Sequence, residues 1–219
     1  MFITFEGVEG SGKTSQIGSV AGYLKKRGLP FRLTREPGGT VIGKSIRAIL
    51  LNPEHRALDP VAELLMYAAD RVQHVKEVIA PALADGMIVL CDRYFDATLA
   101  YQGYARGIDM DVIISIHQMV LDGLMPDLTF LFDLPVEIGL SRAWGQVKNG
   151  ARTGGETRFE KEKLDFHRKV RSGYLELAKK EPKRIRIINA ERNEEEVLSS
   201  ILAILSDVLT GLLPANPTF

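Results

Sequence analysis

Cysteine is nearly absent from this sequence of 219 residues, which contains a single one, Cys91. One cysteine cannot form a disulfide within the chain, and it cannot supply a structural zinc site built from several thiolates. Cys91 ends the apolar run Met87–Cys91, so we interpret it as a small buried side chain in a reducing compartment. A hydrophobic core must therefore stabilise the chain, which at this length can bury roughly 70% of its unfolded surface.

An excess of charge is also lacking, because 28 lysines and arginines balance 28 aspartates and glutamates. This balance excludes the broadly basic surface of a dedicated nucleic-acid-binding protein but permits a local basic cleft. No clean apolar run reaches the roughly 20 residues that cross a bilayer, and the most apolar stretch, 197–213, predicts a packed helix. The sequence starts without a recognisable secretory signal, so we expect a cytoplasmic location.

Short apolar runs alternate with longer segments of helical periodicity, and this alternation predicts an α/β fold. Two runs, 87–91 and 128–132, are almost entirely apolar, as expected for strands covered by helices on both faces. We expect a doubly wound, five-stranded parallel sheet in one domain over 1–213, with a frayed tail over 214–219. The predicted strands are Phe2–Phe5, Phe31–Thr34, Met87–Cys91, Leu128–Phe132 and Ile185–Ile188.

Capping signals bound the predicted helices. Gly28 is typical of the residue that follows a helix, and Asp59 followed by Pro60 is typical of a helix start. The predicted helices are 13–27, 41–51, 60–79, 109–122, 136–143, 159–180 and 194–210. Between the helices predicted at 136–143 and 159–180, Trp144–Thr157 has four glycines, two basic side chains and no apolar periodicity, which predicts a mobile loop. Such a loop is either a solvated connector or, in a phosphate-handling enzyme, a lid, and we favour a lid over about 142–158.

A glycine-rich segment between the first strand and the first helix matches the pattern G-x-x-x-x-G-K-[ST]. Its glycines turn backbone N–H groups toward one anion, and the following helix adds its positive end. Lys13 can reach the β and γ phosphates, and the Thr14 hydroxyl suits Mg²⁺. The residues expected to bind nucleoside triphosphate phosphates are Gly7, Val8, Glu9, Gly10, Ser11, Gly12, Lys13 and Thr14. A GTPase would carry an N-K-x-D element, which is missing, so a small-molecule kinase is favoured.

Polar residues follow the second and third predicted strands, where open α/β sheets bind ligands. Asp92 can hold a metal through water, and Arg93 can bind a transferring phosphoryl group or an acceptor phosphate, although a simple surface ion pair is the alternative. Arg35 precedes a proline-glycine turn, and Arg47 on the next helix could face the same site or only solvent.

Five short segments in the same order make the sequence resemble thymidylate kinases of the bacterial type over nearly its whole length. The segments are 5–14 (FEGVEGSGKT), 34–39 (TREPGG), 67–71 (YAADR), 91–94 (CDRY) and 100–103 (AYQG). The resemblance implies ATP-dependent phosphorylation of dTMP to dTDP with Mg²⁺ as cofactor, in a homodimer. Ala97, where many relatives have serine, and Tyr67, where phenylalanine is common, depart from the family pattern.

The resemblance also implies roles for individual residues. Glu9 accepts a hydrogen bond from the 3′-hydroxyl of dTMP, Tyr67 stacks on thymine, and Arg71 donates to a base carbonyl. The remaining residues that the family places around dTMP are Thr98 and Gln102 at the base, Tyr101 at the 2′ position, and Arg35, Arg47 and Arg93 at the phosphate. Thr14 and Asp92 are the implied metal ligands.

The phosphate loop lacks the arginine that some thymidylate kinases carry there, so the resemblance implies that lid arginines stabilise the transferring phosphoryl group. Arg142, Arg152 and Arg158 are the candidates. We favour Arg142 and Arg152, and the expected catalytic set is Lys13, Arg93, Arg142 and Arg152.

Two alternatives remain open. One is a kinase for another monophosphate such as dUMP. The other is a P-loop regulatory module that uses ATP as a switch and hydrolyses it slowly. The apolar helices near 61–80 and 109–122 are compatible with a dimer interface and equally with burial inside one chain.

Overall fold

A computed structural model describes residues 1–151 and 153–212. Five parallel strands form one sheet in the order β2-β3-β1-β4-β5, which confirms the predicted fold class. The strands are β1 Phe2–Gly7, β2 Phe31–Arg35, β3 Ile88–Asp92, β4 Leu128–Asp133 and β5 Ile185–Asn189. The tail predicted at 214–219 and the predicted catalytic Arg152 lie outside the described residues.

The core lies on both faces of the central strands. Every residue of β1 is buried, which requires cover on both faces of the sheet. In the β1–β3 pair, Phe5 is in register with Asp92. The loops that follow these two strands therefore start side by side at the carboxyl edge of the sheet.

The helices connect these strands, and side chains cap several of them, including the predicted cap at Asp59. Asp59 accepts hydrogen bonds from the N–H groups of Val61 and Ala62, and Thr40 accepts one from Gly43. None of the helices in the described ranges combines the length and apolar character that a bilayer crossing requires. The helices are α1 Lys13–Lys26, α2 Val41–Leu51, α3 Pro60–His74, α4 Ala80–Ala84, α5 Phe95–Thr98, α6 Met110–Leu121, α7 Val136–Lys148, α8 Leu164–Lys180 and α9 Glu194–Leu212.

Two helix boundaries differ from the predictions by five residues each. Helix α7 continues to Lys148 instead of ending at Ala143, so the prediction of an irregular segment from Trp144 is wrong for its first turn. Helix α8 begins at Leu164 because the preceding residues form turns, among which the Arg158 N–H donates to the carbonyl of Leu51.

The helix predicted for 60–79 changes form along its length. It is α-helical to the end of α3, π-helical over Val75–Ile79, and α-helical again in α4. Pro81 has no N–H to donate to the preceding turn, which accounts for an interruption at this point.

A helical segment over residues 95–105 was not predicted. It consists of α5 followed by the π-helical Leu99–Ala105. It packs on α8, and its Tyr101 and Gln102 side chains are buried. The segment therefore depends on tertiary contacts with α8 and has no regular apolar period of its own.

The phosphate loop lies backbone to backbone against the first turns of α7. A Cβ atom on Gly10 would collide with the carbonyl oxygen of Gly139, and one on Gly139 would lie 2.5 Å from the carbonyl oxygen of Glu9. Two glycines thus allow a contact that no other residue pair would permit.

Gly139→Ala should lower the free energy of unfolding by about 1–3 kcal/mol, because its methyl group displaces the Glu9 backbone. Denaturant titration measures this change. Gly145→Ala is the control, since it lies in the same helix with nothing within 4 Å of the added Cβ, and it should gain up to about 1 kcal/mol. Equal changes in both variants would contradict the proposed clash.

Candidate active site

The phosphate loop adopts the conformation that its glycines permit. Gly7, Gly10 and Gly12 have φ values of 139°, 67° and 88°, in the region that favours glycine. Gly12 precedes the first residue of α1, so the unpaired N–H groups at the start of that helix face the concave side of the loop. The arrangement can bind a phosphate group.

Lys13 is buried within this loop. Its ammonium group donates to the carbonyls of Gly7 at 3.0 Å and Val8 at 2.8 Å, and to the Ser11 hydroxyl at 3.0 Å. Burial and the nearby positive charge of Arg93 lower the pKa of Lys13 to about 8. A phosphate bound here would meet an ammonium group already held in position.

Two hard oxygen donors meet between the loop and β3. The Thr14 hydroxyl lies 3.3 Å from the Asp92 carboxylate. Within the described residues there is no group of three or more His, Cys, Asp or Glu side chains that could hold a metal. A hydroxyl and one carboxylate fit Mg²⁺, which keeps several waters and takes further oxygens from phosphates.

Arg93 adopts an unusual backbone conformation at the end of β3. Its φ is 67°, a region that few residues other than glycine occupy. The Arg93 N–H donates to the carbonyl of Phe5 at 3.0 Å, and the Cys91 thiol donates to the Arg93 carbonyl at 3.0 Å. These bonds on both sides of the residue hold the turn that directs its side chain toward the phosphate loop.

The Arg93 guanidinium contacts the loop itself. It donates to Glu9 at 3.3 Å and to the Tyr174 hydroxyl at 3.1 Å, and it lies 5.1 Å from the centre of the Tyr101 ring. These acidic and phenolic neighbours raise the pKa of Arg93 well above its usual value, although burial opposes the charge. Arg93 thus remains a fixed cation.

Glu9 accepts its hydrogen bonds through one carboxylate oxygen, while the other has no hydrogen-bond partner among the described residues. It accepts hydrogen bonds from Tyr101 and Arg93, and His167 Nδ1 lies 3.3 Å from its second oxygen. Burial raises the pKa of Glu9, but the neighbouring imidazole and the Arg93 charge outweigh it and lower the pKa. Sequence reasoning missed His167, because no local pattern connects a residue of α8 with the phosphate loop.

A second glutamate lies beneath this cluster. Glu6 is fully buried and accepts hydrogen bonds from the Tyr94 N–H and the Tyr174 hydroxyl, each at 2.7 Å. Burial, with the Asp96 charge nearby, raises the pKa of Glu6 to about 7. Glu6 thereby links β1 to the residue that follows Arg93.

Arg71 and Thr98, predicted to lie at the base, are brought together. Arg71 Nη2 donates to the Thr98 hydroxyl at 2.9 Å and to the Tyr94 carbonyl at 3.3 Å. Tyr67 is partly buried one helical turn earlier on α3. The same strand end that carries Arg93 therefore also contacts Arg71.

Gln102 has a different partner from the other predicted base contacts. Its amide donates to the buried Glu63 at 2.7 Å, and Glu63 also pairs with Arg106 and Arg158. Sequence reasoning missed Glu63, whose partners lie on distant segments of the chain.

Arg47 and Arg35 differ in their surroundings. Arg47 forms a two-pronged ion pair with Glu156, at 2.9 and 2.7 Å, and donates to the Pro37 carbonyl at 3.0 Å. Arg35 is exposed at the end of β2. The expected trio of acceptor-phosphate arginines thus includes one side chain paired with the segment that follows α7.

The two described lid candidates lie apart. Arg142 donates to the Ala190 carbonyl at 2.9 Å, beside the connection between β5 and α9. Arg158 is buried, pairs with Glu63 at 2.5 Å and donates to the Leu50 carbonyl. Arg158 therefore anchors the segment to α2 and α3 and is not a free lid cation.

A five-stranded parallel sheet, a phosphate loop after β1 and an acid-arginine pair at the end of β3 define a P-loop kinase of the nucleoside monophosphate kinase fold. The sequence model for the family "Thymidylate kinase" matches residues 5–201. The chain therefore belongs to the thymidylate kinase family, which confirms the resemblance found in its motifs.

Individual relatives agree with this assignment. The chain is 52% identical over 202 residues to the thymidylate kinase of Geotalea uraniireducens, covering 92% of this chain and 94% of that protein. It is 47% identical over 208 residues to the enzyme of Desulfosudis oleivorans, covering 95% and 97%. The crystal structure of thymidylate kinase from Ehrlichia chaffeensis has a TM-score of 0.74 and 35% identity, covering 94% of this chain and 98% of that one.

Glu6→Gln should change how stability depends on pH. A folded pKa of about 7, raised from 4.5, gives the wild type a contribution that is present below pH 4.5 and lost as the pH rises toward 7. The free energy of unfolding of the wild type should fall by roughly 3 kcal/mol relative to Glu6→Gln over this range. Other titrating groups are shared by both proteins, so a pH-independent difference in denaturant titrations would refute the buried acid.

Proposed function

We propose that this protein transfers the γ-phosphoryl group of ATP to dTMP, giving ADP and dTDP. The observation that carries the proposal is the segment after β3. Its Arg93 guanidinium contacts Glu9 of the phosphate loop, and the carbonyl of the next residue, Tyr94, contacts Arg71. One short segment thus connects a triphosphate site with the residues expected at a pyrimidine base.

On the donor side, the N–H groups of the phosphate loop and the Lys13 ammonium bind the β and γ phosphates of ATP. Thr14 and Asp92 would hold Mg²⁺, and the ion would supply positive charge to the phosphates of ATP.

On the acceptor side, Tyr67 stacks on thymine, and Arg71, Thr98 and Gln102 bind its polar edge. Glu9 accepts from the 3′-hydroxyl, and Tyr101 occupies the space that a 2′-hydroxyl would need. Arg35, Arg47 and Arg93 bind the acceptor phosphate, with Arg47 exchanging Glu156 for the phosphate oxygens.

The chemistry requires charge compensation more than proton transfer. The acceptor phosphate oxygen is already anionic, so no general base is needed, but two polyanions must approach in line. Arg93 and Lys13 offset part of that repulsion. We propose that the segment 142–158 of a single domain over 1–213 closes as a lid and that Arg142 and Arg152 add charge at the transferring group.

We further propose a homodimer that works in the cytoplasm. Helices α3 and α6 pack on each other and carry exposed apolar side chains, among them Leu65, 52% exposed, and Met119, 77% exposed. The buried, unpaired Cys91 suits a reducing compartment.

An acceptor screen tests the proposed reaction. ADP formation from ATP and Mg²⁺ should require a nucleoside monophosphate and should be fastest with dTMP. Lys13→Ala should lower kcat by on the order of 10² to 10³-fold, because one fixed donor to the transferring group is lost. Lys25→Ala removes an equal charge from the exposed end of the same helix and should leave kcat unchanged.

Other results of this screen would replace the proposal. Preference for dUMP or another monophosphate would indicate a different acceptor, and slow ATP hydrolysis without any acceptor would indicate a regulatory module.

Sedimentation equilibrium at several concentrations tests the dimer. The wild type should sediment as a dimer and Leu65→Glu as a monomer, because the new carboxylate would be buried between subunits. Ile187→Glu is the matched control, since Ile187 is also 52% exposed but lies on the edge strand β5. A dimeric Leu65→Glu variant would show that this face is not the interface.

A further inference from the structure

A hydrogen-bonded series of polar side chains connects Arg71 with Thr34 on β2. Arg71 Nε donates to one oxygen of Glu36 at 2.8 Å, and His74 Nδ1 lies 2.9 Å from the other. His74 Nε2 lies 2.6 Å from the Thr34 hydroxyl. Glu36 is 4% exposed and His74 is fully buried, so neither can reach an acceptor directly.

The chemistry of these groups fixes their hydrogen-bond directions. An ionised carboxylate only accepts, so His74 must donate to Glu36 from Nδ1. In the neutral imidazole, Nε2 then accepts from the Thr34 hydroxyl. Both oxygens of Glu36 and both ring nitrogens of His74 are therefore engaged, and a fully satisfied buried network resists rearrangement.

Packing also restricts the His74 ring. A Cβ atom on Gly39 would lie 2.5 Å from the ring, which shows that the backbone of this loop rests directly on the imidazole. A second buried carboxylate, Asp70, accepts from the Gly38 N–H at 3.0 Å and holds the same loop. The ring is thus enclosed between α3 and the loop that follows β2.

At the other end of the network, one nitrogen of the Arg71 guanidinium is not used for hydrogen bonds within the described residues. Glu36 binds Nε, and Thr98 and the Tyr94 carbonyl bind Nη2, while the guanidinium carbon lies 5.1 Å from the centre of the Tyr94 ring. Within the described part of the chain, Nη1 makes no hydrogen bond. The network leaves this one donor available to a ligand.

We propose that Glu36 and His74 are positioning residues that fix the Arg71 guanidinium, so that Nη1 can donate only to a pyrimidine with a carbonyl oxygen at C4. The proposal rests on the proposed function, because it takes the acceptor to be a pyrimidine nucleoside monophosphate. Thymine and uracil carry an oxygen at C4, whereas cytosine carries an amino group. A guanidinium can only donate, so cytosine would leave two buried donors facing each other.

The expected effect is a change in selectivity. With the guanidinium fixed, dTMP gains a hydrogen bond and dCMP is rejected. A guanidinium that can rotate away loses the bond to dTMP and relieves the conflict with dCMP. Sites built to bind a polar group discriminate strongly for this reason.

Steady-state kinetics with dTMP, dUMP and dCMP as acceptors test the proposal in two variants. Glu36→Gln keeps the side-chain size but removes the charge, and His74→Phe keeps a ring but removes its donor. The ratio of kcat/KM for dTMP to that for dCMP should fall about 10-fold or more. The dTMP to dUMP ratio and the KM for ATP should not change. His74→Asn, whose amide can replace the Nδ1 donor, should recover most of the selectivity.

Glu181→Gln is the control, since Glu181 also accepts two bonds from one arginine, Arg184, away from this network. It should leave every ratio unchanged. If Glu36→Gln and His74→Phe lower kcat/KM equally for all three acceptors, the residues are structural only and the proposal fails.

The Arg71 Nε–H resonance gives a readout that does not depend on turnover. In ¹⁵N NMR spectra this signal, identified by its loss in Arg71→Lys, should exchange slowly with solvent in the wild type and rapidly in Glu36→Gln and His74→Phe. Slow exchange in both variants would overturn the positioning role. If exchange becomes rapid in both variants but the wild type does not phosphorylate dTMP, the positioning role of the network is upheld and the proposed function is refuted.

Discussion

The partly buried guanidinium of Arg93 is the group on which the rest of the site depends, because a charge largely withdrawn from water must be compensated within a few ångströms. Glu9 provides the compensation at 3.3 Å, and Tyr174 connects Arg93 to the buried Glu6. Glu36 compensates the charge of Arg71 in the same way. The equal numbers of acids and bases in the sequence therefore reflect, in part, local pairing inside the cleft. A neutral chain can present cations to phosphates because its carboxylates lie directly behind them.

Much of the fold could be predicted because its signals are local. Apolar runs marked all five strands, and glycine spacing marked the phosphate loop next to the strand and helix that hold it. The segment 95–105 escaped prediction because packing on α8 stabilises it. The partners of Arg47 and Arg158 were equally inaccessible, since Glu156 and Glu63 lie about a hundred positions away. Local pattern identifies a side chain as a candidate, but only the fold decides what it touches.

The segment 34–39 shows how a motif can be recognised before its physical cause is known. Its two glycines pack against different side chains. A Cβ on Gly38 would lie 2.9 Å from Arg47, and one on Gly39 would lie 2.5 Å from His74. The first contact holds an arginine expected at the acceptor phosphate, and the second encloses the ring that supports Glu36. The glycines are thus required by the side chains that rest on them, on two different helices.

The position of Cys91 also determines how its thiol can react. Its thiol is the only one in the chain, is fully buried, and donates to the carbonyl of Arg93. Burial raises its pKa well above the usual value, so the nucleophilic thiolate is scarcely populated while β3 is intact. Alkylating reagents can therefore modify this sulfur only after the strand opens, and the modified sulfur could no longer support the Arg93 turn. Chemical inactivation of the site through this sulfur would then require the opening of β3.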